Sequence, residues 1–320
     1  MRKGIVILLI VAAALVLVGG AIFTVGVITM SNQNISFING QYQKQIHNGT
    51  DEIKSISITT GTPDVEILPY DKEGYKVECF EDKKIAHTVT VENGTLRIER
   101  NDTRAWYDYI NVFSMDTKIT VYVPAGEYSS LSVDADTSDV TVSKNFTFEK
   151  ADITCTTGNI EFNASTKSAL TIRTSTGDIE VEKSTHGNLD LSVSSGEIEI
   201  KDVDCTNATV NVSTGKTEIK DMTCTSFTST GNTGSLLMSN LVSAGEMSIT
   251  RNTGDVKFDK CDAANITVST GTGNVTGTLL SPKIFIHSTS TGNVSLPETT
   301  TGGKCKITTS TGDIKISIIQ

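Results

Sequence analysis

Thr176-Gly177-Asp178-Ile179-Glu180-Val181, Ser195-Gly196-Glu197-Ile198-Glu199-Ile200 and Thr214-Gly215-Lys216-Thr217-Glu218-Ile219 are three successive copies of one phrase, and their spacing decides the fold. Each copy has a hydroxyl residue, a glycine, a polar residue and then a run that alternates from one residue to the next. The glycines continue on both sides as Gly158, Gly177, Gly196, Gly215, Gly234, Gly254, Gly273, Gly292 and Gly312, at intervals of 19 or 20 residues. Ser138, within Asp136-Thr137-Ser138-Asp139-Val140, stands 20 residues before Gly158 and reads as a degenerate first copy. A fixed interval of this size marks a repeat whose unit cannot bury its own apolar face and must stack on its neighbours.

Two and four residues after the glycine come Ile160 and Phe162, Ile179 and Val181, Ile198 and Ile200, Val256 and Phe258, and Ile314 and Ile316. That period of two defines a strand with one face inward. A second strand precedes the glycine, as in Leu170 and Ile172, Leu189 and Leu191, and Ile266 and Val268. Between the strands, Val203, Met222, Leu241, Cys261 and Leu280 each lie seven residues after a glycine and are expected to plug the turn into the same core. No 3.6-residue period competes, and β-branched residues dominate the inner positions, which excludes a helical solenoid. The expected fold is all-β: a parallel β-helix (solenoid) of about ten 19–20-residue coils over residues 136–320. Strands spaced about 4.8 Å apart make nine copies a rod of roughly 45 Å. Proline is absent from 125 to 281, as an uninterrupted ladder requires. The glycines are expected at corners that a Cβ would strain. The hydroxyl residues before them, from Thr157 and Thr176 to Thr291 and Thr311, are expected to stack as a structural ladder.

The chain outside the repeat divides readily. Arg2 and Lys3 precede a stretch without one charge from Gly4 to Met30. About 26 apolar residues span a hydrocarbon core of ~30 Å, whereas a cleavable signal has an apolar region of about 7–15. The expected organisation is a cytoplasmic tail over 1–4, a transmembrane helix over 5–30, a linker over 31–50, an irregular β cap over 51–135 and the β-helix beyond. The charges before the span put the N-terminus in the cytoplasm and the remainder outside the cell membrane. The other reading is a cleaved signal with an unusually long apolar region. With 27 Lys and Arg against 37 Asp and Glu, the net charge of −10 argues against a nucleic-acid partner. The hydrophobic fraction is 37%, low for 320 residues.

Residues 51–135 show strand-like runs without the repeat period, and the chain finishes on Asp313-Ile314-Lys315-Ile316-Ser317-Ile318-Ile319-Gln320, a strand expected to leave a bare edge open to self-association. The phrase Val121-Tyr122-Val123-Pro124, followed by Leu131-Ser132-Val133, Thr137-Ser138-Asp139-Val140 and the tandem Thr-Gly-Asp-Ile copies, resembles the bacterial putative-adhesin family of unknown function, over roughly 50–320. The resemblance implies a β-helical envelope domain behind an N-terminal anchor, proposed to act in adhesion, with no catalytic residues to transfer.

Several constellations invite chemistry. Glu161, Glu180, Glu199 and Glu218 stand three residues after successive glycines, so stacking brings their carboxylates about 5 Å apart and suits a hard cation such as Ca²⁺. The competing reading is a solvated face diluted by Glu182, Lys201 and Lys220. Asp202 and Asp221 form a second pair, whose separation would suit a retaining glycosidase, although nothing around them builds a cleft. His47, His87, His186 and His287 show no metal-ligand spacing, and no other cofactor is expected. Six cysteines are present, of which only Cys205 and Cys224 share a phase on neighbouring coils, making them a possible disulfide. Trp106-Tyr107-Asp108-Tyr109 with Phe113 could stack on sugars or cover the first coil.

The function expected from these observations is a membrane-anchored extracellular scaffold or adhesin-like binding protein without catalysis. Its partner would be a surface glycan, a cell-wall polymer or a protein. The alternatives are an envelope-stress or signalling accessory and a polysaccharide lyase or glycosidase.

Overall fold

The structure, a computed structural model, describes residues 42–104 and 116–319, together with 15, 16 and 19. The expected span over 5–30, apart from those three positions, and the aromatic cluster from Trp106 to Phe113 lie outside the described residues. Among the described residues, no helix is long and apolar enough to cross a membrane.

Among the described residues, one 23-stranded sheet coils around a continuous core, a parallel β-solenoid. Four strands, Ile179–Ser195, Ile198–Thr214, Leu236–Thr253 and Val256–Thr272, each run through a bend and carry nearly a whole coil. All nine corner glycines have positive φ, between 130° and 158°. A Cβ on Gly196 would lie 2.0 Å from the Gly177 carbonyl oxygen, so contact forbids a side chain there as firmly as the dihedral does. The second bend falls six residues after the glycine, where Lys183, Asp202, Asp221, Asn240 and Lys260 take left-handed φ of 47° to 54°. Asp and Asn tolerate that region better than other side chains.

The inward positions are as the alternation predicts. Ile160, Ile179, Ile198 and Ile314 are at most 1% exposed, as are Leu170, Leu189 and Ile266. Each such side chain contributes about 1.5–3 kcal/mol by burial. Val203, Met222, Leu241 and Cys261 fill the turn, but Leu280 does not. Leu279 pairs with Cys261 and is buried, while Leu280 is 44% exposed. A register shift opposite Phe258 and Cys261 shortens that coil by one residue.

Both ends depart from chain order. Ser55–Thr60 lies between Thr95–Asp102 and Gly126–Thr137, and Asp64–Pro69 lies between Lys118–Val123 and Val140–Val142, all in parallel register. The segment expected as an irregular cap therefore holds two further coils. Beyond them the end is closed by antiparallel strands: Ile85–Glu92 on Thr95–Asp102, and Tyr75–Asp82 on Lys118–Val123, with Tyr42–Gly49 outermost.

At the other end, Gly303–Thr311 is inserted between Val256–Thr272 and Lys283–Thr291. Ile314 pairs with both Val275 and Val294. The C-terminal strand is thus not the bare edge expected from its place in the sequence. The last level of the stack is the preceding coil, 283–296, bracketed by Pro282 and Pro297.

Candidate functional site

Ladders of stacked side chains run along the outward faces. Asp139, Asn159 and Asp178, each one residue past its corner, accept the backbone amides of Asn159, Asp178 and Glu197 at 2.7, 2.9 and 2.7 Å. The series begins at Asp64, resumes at Asp255 and Asn274, and follows the spatial order through Asp313 to Asn293. It gives corner amides a partner that the strand ladder does not provide. The sequence reading noted a polar residue there and missed its role; the recurrence of Asp and Asn was the signal.

Glu161, Glu180, Glu199 and Glu218 do stand in register. Their charge is met by lysine rather than left open. Lys201 Nζ lies 3.0 Å from carboxylate oxygens of Glu180, Glu182 and Glu199. Lys216 and Lys220 both reach Glu218, and their hydrogen bonds pull its carboxyl down to about 2. Glu161 instead accepts from the Asn163 amide at 2.6 Å. Among the described residues, no group of three or more His, Cys, Asp or Glu is arranged to hold a metal ion. Asp202 and Asp221 occupy the left-handed bend, and Asp221 accepts a hydrogen bond from Asn240 at 2.7 Å.

Inside the wall are buried polar groups. His186 is 3% exposed, with Nδ1 3.0 Å from the Thr166 hydroxyl and Nε2 2.9 Å from that of Ser184; burial holds its pKa down to about 4. Near the closed end, Thr60 Oγ1 lies 3.0 Å from His87 Nε2, and His87 Nδ1 lies 2.7 Å from Glu81 Oε2. This alignment matches a nucleophile, base and orienting acid, but Thr60 is only 4% exposed and offers no approach to a substrate. Arg251 is also interior; burial lowers its pKa to about 10, and it donates to the Ser229 hydroxyl at 2.8 Å. Gly231 leaves its space, since a Cβ there would lie 2.8 Å from Arg251 Nη1. Thr217, Ser229 and Gly231, standing where other coils have aliphatic residues, were the overlooked signal.

The open end has a different character. Lys283–Thr291 pairs on one side with Gly303–Thr311. Ile284, Ile286 and Val294 are 43%, 49% and 39% exposed, and Phe285 and Leu296 are half-buried. In the level beneath, Lys304, Lys306 and Lys315 are exposed. The ladder side chains have partners within the wall, whereas the last coil exposes Ile284, Ile286 and Val294.

A repeat wall of stacked coils, closed at one end and open at the other, defines a parallel β-solenoid. The chain belongs to the Toastrack DUF4097 family, whose model matches residues 53–229 and 189–320. No curated protein matches it. Among solved structures, a putative lipid binding protein from Parabacteroides distasonis ATCC 8503 is 19% identical, with a TM-score of 0.49, covering 87% of this chain and 98% of that one. A putative adhesin from the same organism is 11% identical, with a TM-score of 0.47 and coverage of 86% and 98%. A putative adhesin from Bacteroides fragilis NCTC 9343 is 13% identical, with a TM-score of 0.41 and coverage of 88% and 100%.

Proposed function

We propose that this chain is a membrane-anchored, extracellular scaffold that binds a protein partner at its open end and makes or breaks no covalent bond. The asymmetry of the two ends carries the reading. Tyr42–Gly49 belongs to the closed end, so an anchor at 5–30 would hold that end at the membrane and direct coil 283–296 away from it. An extended polypeptide added as a further strand on Lys283–Thr291 would satisfy the free main-chain edge and cover Phe285, Val294 and Leu296. Lys304, Lys306 and Lys315 favour a strand bearing acidic side chains.

Removing residues 139–320 would not separate binding by the coils from binding by the N-terminal region, because Val65 and Ile67 pair with Val140 and Val142. Replacement of Ile284 and Ile286, both exposed, by glutamate puts negative charge against an acidic strand and is the cleaner test. Cells displaying the full chain should adhere to target cells, lose adhesion when the target is stripped with protease, and lose it with the double variant. Adhesion that persists in the variant, or that is removed by stripping glycans alone, contradicts the proposal.

A further inference from the structure

Cys205 and Cys224 carry an inference beyond binding. Each stands nine residues after its corner glycine, on adjacent coils. Asp204 pairs with Thr223 just before them, and the Thr225 amide donates to the Thr206 carbonyl at 2.8 Å just after. In-register parallel strands about 4.8 Å apart bring the two Cα atoms within the range of about 4.4–6.8 Å that a disulfide spans. Cys224 is 7% exposed, whereas Cys205 is half-buried and reachable from solvent. Cys79, Cys155, Cys261 and Cys305 are all at most 2% exposed.

We propose that Cys205 and Cys224 are a redox pair that reduces a small-molecule disulfide and closes as a reversible staple between neighbouring coils. Cys205 is the sulfur a donor in solution can reach, so it is the attacking group: it loses its proton to solvent, and its thiolate attacks one sulfur of the donor, forming Cys205–S–S–R and expelling the first RS⁻. Its neighbour Cys224, which the Cys205 side chain holds below the ordinary thiol range, is then deprotonated, attacks the Cys205 sulfur, closes the bond between coils and expels the second RS⁻. Two protein thiols are oxidised, the donor is reduced to two thiols, and the two protein protons pass to the released thiolates. A cross-link between adjacent coils restricts the unfolded chain and stabilises the stack.

The test uses the full chain in detergent, reduced, freed of reductant and then exposed to oxidised glutathione as the donor. The expected result is the loss of two hydrogen atoms, a Cys205–Cys224 cross-linked peptide and a melting temperature several degrees higher, all reversed by dithiothreitol. Cys205→Ser and Cys224→Ser should each abolish the cross-link, and Cys261→Ser should retain it. Six thiols still titrating after unfolding in denaturant, or a glutathione adduct that stays on Cys205 without closing, would overturn the proposal.

Discussion

Gly312 packs against Gly273, 39 residues earlier: the Gly273 amide donates to the Thr311 carbonyl at 2.9 Å, and a Cβ on Gly312 would lie 2.1 Å from the Gly273 carbonyl oxygen. Gly292 sits on the far side of Gly312. The last coil of the chain is therefore an interior level of the stack, and the coil before it forms the open end. A terminus held between two levels is protected from fraying that a free last strand would undergo.

Core substitutions should follow spatial order. Ile307 is 1% exposed in the inserted coil, so Ile307→Ala should cost about 2–5 kcal/mol in urea unfolding. Ile284→Ala, on the open end, should change stability by no more than about 0.5 kcal/mol. Similar costs at the two sites would place the inserted coil elsewhere.

The Asp and Asn ladder should be additive to the strand ladder. Asp178 accepts the Glu197 amide, and Asp178→Ala should cost about 1 kcal/mol by leaving that amide to water alone. Ser235 stands in the break of the ladder, next to Asp255, and Ser235→Asn should gain a few tenths to about 1 kcal/mol by accepting the Asp255 amide. Thermal unfolding of both variants reads the two signs.

Acid should act through His186. Its pKa of about 4 lies below the unfolded value, so the neutral ring's contribution is fully present above about pH 6.5 and is lost as pH falls from there through 4. The loss should reach roughly 3 kcal/mol, and His186→Gln should flatten the profile over that window. A wild-type stability that is constant between pH 6.5 and 4 contradicts this.

The carboxylate ladder should ignore Ca²⁺ while its lysines are present. Lys201 already occupies the position between Glu180, Glu182 and Glu199 that a cation would take, so millimolar Ca²⁺ should leave the melting temperature of the native chain unchanged. Lys201→Ala removes that cation, and Ca²⁺ should then raise the variant's melting temperature. A rise in the native chain would assign the ladder to a metal after all.

The sequence is most informative where one residue type has one possible role. Gly177 and Gly196 mark corners that no side chain can enter, and Ile179 and Ile198 can only face inward, so the coil and its core were readable from the period. The order of coils at the ends was not readable, because the inward residues Ile314 and Ile316 suit Val275 as well as Val294. The coil at 55–69 was hidden for a local reason. Thr60-Gly61 is separated from Asp64-Val65-Glu66-Ile67 by Thr62 and Pro63, which breaks the phrase while preserving its Asp. Leu280 was misassigned because one residue is missing from its coil, which moves the inward position to Leu279. Arg251 was overlooked because its accommodation depends on Thr217, Ser229 and Gly231 in other coils, a pattern that only stacking brings together.

Amide hydrogen exchange of the full chain tests the central claim, that coil 283–296 and not the C-terminus is the open binding end. Gly303–Thr311 should exchange as slowly as Val256–Thr272, because both of its edges are paired, while Lys283–Thr291 should exchange much faster. Slow exchange across 283–291 together with fast exchange across 303–318 would contradict the account.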